Sequence, residues 1–140
     1  MSTKLSVSFL TYIFIILIFS STCFSKLHVE ITNALSQDVP PLQLHCRSKD
    51  DDMGYHNLSV NELYAWKFNM NFWGTTLFYC DFWWGEKHAA FKVFDIDIQL
   101  EVADGLDHFA YEARTDGFFF YGQEPLTKSY YWQLVKTWEN

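Results

Sequence analysis

The chain has 140 residues, with 10 basic against 17 acidic side chains, and one residue in five is aromatic (20%). That length supports one compact domain with its own core. The acidic balance excludes a nucleic-acid partner, because phosphate binding needs clustered Lys and Arg.

The first 25 residues read apart from the rest. Lys4 precedes an apolar run, "VSFLTYIFIILIF", and small residues follow in "SSTCFS". This is the layout of a secretory signal peptide, residues 1–25, with a cut after Ser25. An amino-terminal membrane anchor is the competing reading. The run is short for it, since a ~30 Å hydrocarbon core takes about 20 residues. The expectation is therefore a secreted, extracellular domain spanning residues 26–140. With Lys4 set aside, 9 basic and 17 acidic residues leave that domain a formal net charge of −8.

From Leu27 onward the pattern is that of strands. "LHVEI" sets Leu27, Val29 and Ile31 against His28 and Glu30, and "LQLHC" alternates Leu42, Leu44 and Cys46 in the same way. "DVPP" (38–41) between them cannot be central strand, because proline lacks a ladder donor. "YAWKF" puts Tyr64, Trp66 and Phe68 on one face. "TLFYCDFW" and "AAFKVFDIDIQLEV" follow, with a turn at Gly85 between them. The second of these ends by alternating Ile96, Ile98, Leu100 and Val102 with Asp97, Gln99 and Glu101, a half-buried strand pattern. "TDG" (115–117) separates "FAYEA" from "FFFY" as a hairpin turn. The closing "YYWQLVKTW" fits a strand or one short helix, and its aromatic content favours strand. Seven to nine short strands in one domain predict an all-β fold, a small antiparallel β-sandwich.

Three cysteines are present, and Cys23 falls within the expected signal peptide. Cys46 and Cys80 remain, and two cysteines in a secreted domain most simply form one disulfide. In the chain-entropy model, closing a loop of that size stabilises a fold by roughly 3–4 kcal/mol. Four residues after Cys46 come Asp50, Asp51 and Asp52. Calcium prefers such hard carboxylate ligands, but the EF-hand spacing fails here. With Gly54 at that loop's invariant glycine, Lys49 takes the first ligand position and Val60 the bidentate one. An exposed turn, with aspartates accepting nearby amide hydrogens, is the better reading.

His28, His45, His56, His88 and His108 show no metal-ligand spacing, so neither zinc nor any other cofactor is expected. The chain lacks a G-x-S-x-G elbow, a phosphate-cradling glycine loop and an H-E-x-x-H motif, and we expect no enzyme. A carboxylate pair for glycoside hydrolysis would depend on spacing in three dimensions. Aromatics crowd "NMNFWGTTLFYCDFWW". Most should fill the sandwich core, but alternation turns some of Phe72, Trp73, Phe82, Trp83 and Trp84 outward as a candidate binding surface. Asn57-Leu58-Ser59 matches the N-glycosylation signal and places Asn57 at the surface.

An ordered series, "ITN", "LHCRSKDDDMG", "YAWKFNMNFWGTTLFYC" and "ARTDGFFFY", resembles the plant self-incompatibility S-protein family across about Ile31 to Tyr121. The resemblance implies a small secreted β-sandwich that acts as a ligand for a cell-surface receptor protein. Cys46 and Cys80 match the first two family cysteines. Many members carry two more before the Asp-Gly turn, and this chain has neither, as though one whole bridge had been lost. The resemblance fixes no recognition surface; the acidic triplet, Asp50 to Asp52, is the candidate recognition loop on the strength of its expected exposure and charge. A secreted defence protein that contacts membranes through exposed aromatics is the alternative, which the net charge of −8 disfavours for anionic bilayers.

Overall fold

The computed structural model describes residues 2–20, 26–38, 40–101 and 105–140. A helix, α1 (Ser2–Ser20), comes first, and its residues 6–17 are all exposed. Among the described residues no helix is long and apolar enough to cross a membrane. The expected cut after Ser25 lies outside the described residues.

Nine strands and one short helix follow. They are β1 (Leu27–Asn33), β2 (Leu42–Arg47), β3 (Asp52–Leu58), β4 (Leu63–Phe68), β5 (Phe78–Trp84), β6 (Lys87–Phe94), α2 (Ile96–Glu101), β7 (His108–Arg114), β8 (Gly117–Gln123) and β9 (Tyr130–Lys136). They form two sheets, one ordered β4-β1-β7-β8-β9 and the other β3-β2-β5-β6. Every strand pairing is antiparallel except β1 with β7, which run parallel in the first sheet.

Alternation puts one face of each sheet inside. Leu27, Val29 and Ile31 of β1 and Leu42, Leu44 and Cys46 of β2 are buried, while the residues between them turn outward. Phe78, Phe82, Phe94, Phe109, Phe118 and Phe120 come from both sheets and are the largest fully buried side chains. Burying one such ring stabilises the fold by roughly 1.5–3 kcal/mol. Their rings meet in several ways, edge-on for Phe94 against Phe109 at 5.0 Å and 86°, tilted for Phe82 against Phe118, and stacked for Phe109 against Phe120.

Cys46 and Cys80 face each other across the β2–β5 register, with Cα atoms 4.1 Å apart, and form a buried disulfide. The bridge therefore staples two neighbours within one sheet and does not tie the sheets together. Other groups do that. The Tyr111 hydroxyl of β7 donates to the Val93 carbonyl of β6 at 2.8 Å, and complete burial pushes its pKa far up. Asn33, at the end of β1, donates through Nδ2 to the Leu58 carbonyl of β3 at 2.9 Å and accepts from the Leu35 amide at 3.0 Å. Its own amide donates to the Glu62 carbonyl, and its carbonyl accepts from the Asn61 amide. At the far end the Glu139 backbone exchanges hydrogen bonds with His88 of β6, while Trp138 packs on Phe118 and Trp84.

One strand expectation fails. Residues Ile96–Glu101 form α2 rather than a continuation of β6. Asp95 ends the strand as a helix cap, its Oδ1 accepting from the Ile98 amide at 2.9 Å, and Lys92 holds its other oxygen at 2.5 Å. Burial acts to raise the Asp95 pKa, but Lys92 and the Ile98 and Asp97 amides outweigh it and hold the carboxyl below its usual range. Capping overrides an alternation that no neighbouring strand is placed to use. In the β7–β8 turn, Gly117 has φ +147°, and any side chain there would strike the Lys136 carbonyl and Leu134, whose Cδ1 would lie 2.9 Å away.

Asn33→Ala should lower stability by about 3 kcal/mol, because it strands the Leu58 carbonyl and the Leu35 amide inside the protein. Chemical denaturation of the two proteins measures this, and a difference below about 1 kcal/mol would mean that water reaches both groups.

Candidate functional site

Two loops flank one end of the disulfide-stapled sheet. Residues 48–51, between β2 and β3, form a closed turn in which the Ser48 amide donates to the Asp51 carbonyl at 2.7 Å. The Asp51 amide in turn donates to the Ser48 hydroxyl at 3.0 Å. Residues 69–77, between β4 and β5, are braced from within by Asn71. Its amide donates to Thr76 Oγ1 and its Nδ2 to Thr75 Oγ1, both at 2.8 Å, and its Oδ1 accepts from the Thr75 amide at 2.9 Å. This brace carries Phe72 and Trp73 at its tip, 91% and 81% exposed, in edge-to-face contact at 5.2 Å. Of the five aromatics considered above, these two face solvent, whereas Phe82 is wholly buried and Trp83 and Trp84 are half-buried.

Between the loops lies a cavity of about 370 Å³. Lys49, Asp50 and Asp51 line one wall, Trp73 and Thr75 the other, and Phe68 and Phe78 are also part of its lining. Polar side chains make up most of the lining, Lys49 beside Asp50 and Asp51 and the threonines opposite, so the recess suits a polar or charged side chain or peptide that can also rest on Trp73.

All three aspartates are exposed, and the structure divides them. Asp50 and Asp51 line the recess, while Asp52 opens β3 and turns to the sheet's outer face. There its Oδ1 accepts from the Gly54 amide at 2.8 Å and pairs with His45 Nε2 at 2.7 Å. His45 stacks on Tyr55 with centroids 4.3 Å apart. Next to it Arg47 pairs with Asp81 at 2.8 Å, and Asp81 also meets His88 at 3.2 Å. The residues on either side of Cys46, and the one after Cys80, thus form an outward polar network above the buried disulfide. The amide of Gly54, and then His45, hold the Asp52 carboxyl below its ordinary range.

Asn57 is exposed on β3, an edge strand. It lies five positions beyond Asp52, about 17 Å along an extended strand. The internal brace of the 69–77 loop escaped the sequence reading, though Asn71 followed by Gly74, Thr75 and Thr76 is turn chemistry in its own right. Also unforeseen, His28, Glu30 and His108 gather on the outer face of the other sheet, where they could hold a cation.

A profile of the plant self-incompatibility protein S1 family matches residues 28–138. S-protein homolog 27 of Arabidopsis thaliana is 36% identical over 95 residues, covering 68% of this chain and 62% of that protein. S-protein homolog 5 of the same plant is 35% identical over 89 residues, covering 64% and 66% respectively. The chain thus spans somewhat less than two thirds of the length of these relatives. A solved self-incompatibility protein homologue, from plant proteins described as small, highly stable and secreted, aligns with a TM-score of 0.63 at 21% identity. The alignment covers 86% of this chain and 100% of that one. At that identity the likeness speaks for the fold alone, the same β-sandwich.

The depressed pKa of Asp52 has a definite pH consequence. Its stabilising contribution is fully present above the ordinary carboxylate value near pH 4 and is lost as pH falls through the lower folded value. Asp52→Asn should therefore lose less Tm than the unaltered protein as pH falls below the ordinary carboxylate range in a series of thermal melts. Parallel curves would show that the carboxyl's contacts with Gly54 and His45 add nothing to the folded state's stability.

Proposed function

Since the chain belongs to the plant self-incompatibility protein S1 family, we propose that it is a secreted ligand that binds a cell-surface receptor protein through the 69–77 loop and the acidic turn beside it. The observation that carries this reading is the exposure of Phe72 and Trp73 on a loop braced by Asn71. Two large aromatics left in water forgo burial worth roughly 1.5–3 kcal/mol each. Held rigidly, they can anchor a partner with little further loss of conformational entropy. Asp50 and Asp51 at the recess edge favour a receptor surface bearing Lys or Arg and disfavour an anionic bilayer. That argues for a protein partner over the membrane-directed alternative, which shares the same aromatics. Binding rather than catalysis also suits an open recess at the sandwich end.

Secretion agrees with the amino-terminal apolar run, with the Cys46–Cys80 disulfide, and with the description of the solved relative's family as secreted. A glycan on Asn57 would sit at the opposite end of β3 from the acidic turn, leave the recess open, and cover an exposed sheet edge. Mass spectrometry of protein collected from secreting plant cells should find an amino terminus at Lys26 and a glycan that Asn57→Gln removes. An intact residue 1 or an unmodified Asn57 would overturn the corresponding claim.

The receptor reading is tested by saturable binding of labelled protein to surfaces of cells from the tissue of expression. Phe72→Ala combined with Trp73→Ala should weaken binding by about 30-fold or more, the scale of an interface hot spot. Asp50→Asn with Asp51→Asn should mainly slow association and flatten its salt dependence. Binding that survives all four changes, or release of dye from lipid vesicles in place of saturable protein binding, would refute it.

A further inference from the structure

The sheet that lacks the disulfide carries a second cluster on its outer face. Alternation along β1 turns Leu27, Val29 and Ile31 inward, so His28 and Glu30 project from the other side. The parallel pairing of β1 with β7 then sets His108 directly beside His28 in register. The two imidazoles stack, with centroids 4.5 Å apart and planes 21° from parallel, and His108 Nε2 lies 3.3 Å from Glu30 Oε2. One ligand atom from each of the three residues lies within 4.8 Å of the others.

We propose that His28, Glu30 and His108 form a binding site for a first-row divalent cation, with zinc the expected metal. Bonds of about 2.0–2.1 Å in tetrahedral geometry place neighbouring ligand atoms about 3.4 Å apart. The His108–Glu30 separation already has this value, and because each imidazole lone pair lies in its ring plane, the His28 ring would turn out of the stack to complete the set. Two imidazoles with one carboxylate suit zinc, copper or nickel, whereas calcium and magnesium call for oxygen ligands alone. A fourth position stays open to water. An ion pair between His108 and Glu30 would by itself account for only two of the three groups.

The surroundings keep the ligands available. A neutral imidazole with a free lone pair is the form that a metal takes. All three ligands stand on hydrogen-bonded strands, and the His28 amide is tied to the Asp107 carbonyl at 2.8 Å, so the backbone frame is set before any ion arrives.

Isothermal titration of zinc sulfate into protein purified from a secreting host should show saturable one-to-one binding, with calcium chloride giving none. His108→Ala and Glu30→Gln should each weaken zinc binding by about 100-fold or more, beyond the 10–100-fold that follows loss of an outer-shell partner. His88→Ala, on the other sheet, should leave it unchanged. Glu30→Gln retains the shape of the side chain, so it stands as the decisive variant should His108→Ala fail to give a native near-ultraviolet circular dichroism spectrum. Absence of one-to-one zinc binding, or binding that Glu30→Gln does not weaken, or equal weakening by His88→Ala, would overturn the proposal.

Discussion

Six phenylalanine rings, drawn from β5, β6, β7 and β8, occupy the space between the two sheets and exclude water from it. Their burial is the constraint on which the other features rest, because each strand can place a ring inside only by sending its neighbours outward. Phe82 inside places Asp81 and Trp83 on the other face, and Cys80 inside with Cys46 does the same for His45 and Arg47. The network of His45, Arg47, Asp52, Asp81 and His88 is thus the reverse side of the core. Each of its salt bridges joins a half-buried group to one open to solvent, where screening leaves an ion pair little net worth.

The disulfide acts within this frame in a restricted way. Because Cys46 and Cys80 are direct partners in one antiparallel pair, the bridge locks the register of β2 against β5. Register matters here, since a slip of one residue would turn every core side chain outward. It also fixes the points from which the two loops that flank the recess depart, residues 48–51 just after β2 and residues 69–77 just before β5. Cohesion between the sheets falls instead to the phenylalanines, to Tyr111 and to Asn33.

Most strands could be read directly from alternation, including β1, β2, β5 and β7, whose buried and half-buried residues follow period two almost without error. Alternation misled at Ile96–Glu101. There Asp95, clamped by Lys92, caps a helix, and local hydrogen bonding decided against the periodicity. The parallel pairing of β1 with β7 was out of reach as well. The two strands lie some 80 positions apart, and neither one's pattern records its neighbour.

The functional surfaces divide along the same line. By itself, the sequence determined the family, the strand content, the cysteine pair, and which residues of each strand face outward, because these depend on residue type and on a period of two. Only tertiary structure decided which outward residues meet. It brought Asp50 and Asp51 alongside Trp73 and turned Asp52 away to His45, though the three aspartates are adjacent in the chain. It likewise set His108 beside His28 and Glu30. The physical reason is that alternation specifies a face, whereas the pairing of strands distant in the chain specifies the neighbours on that face.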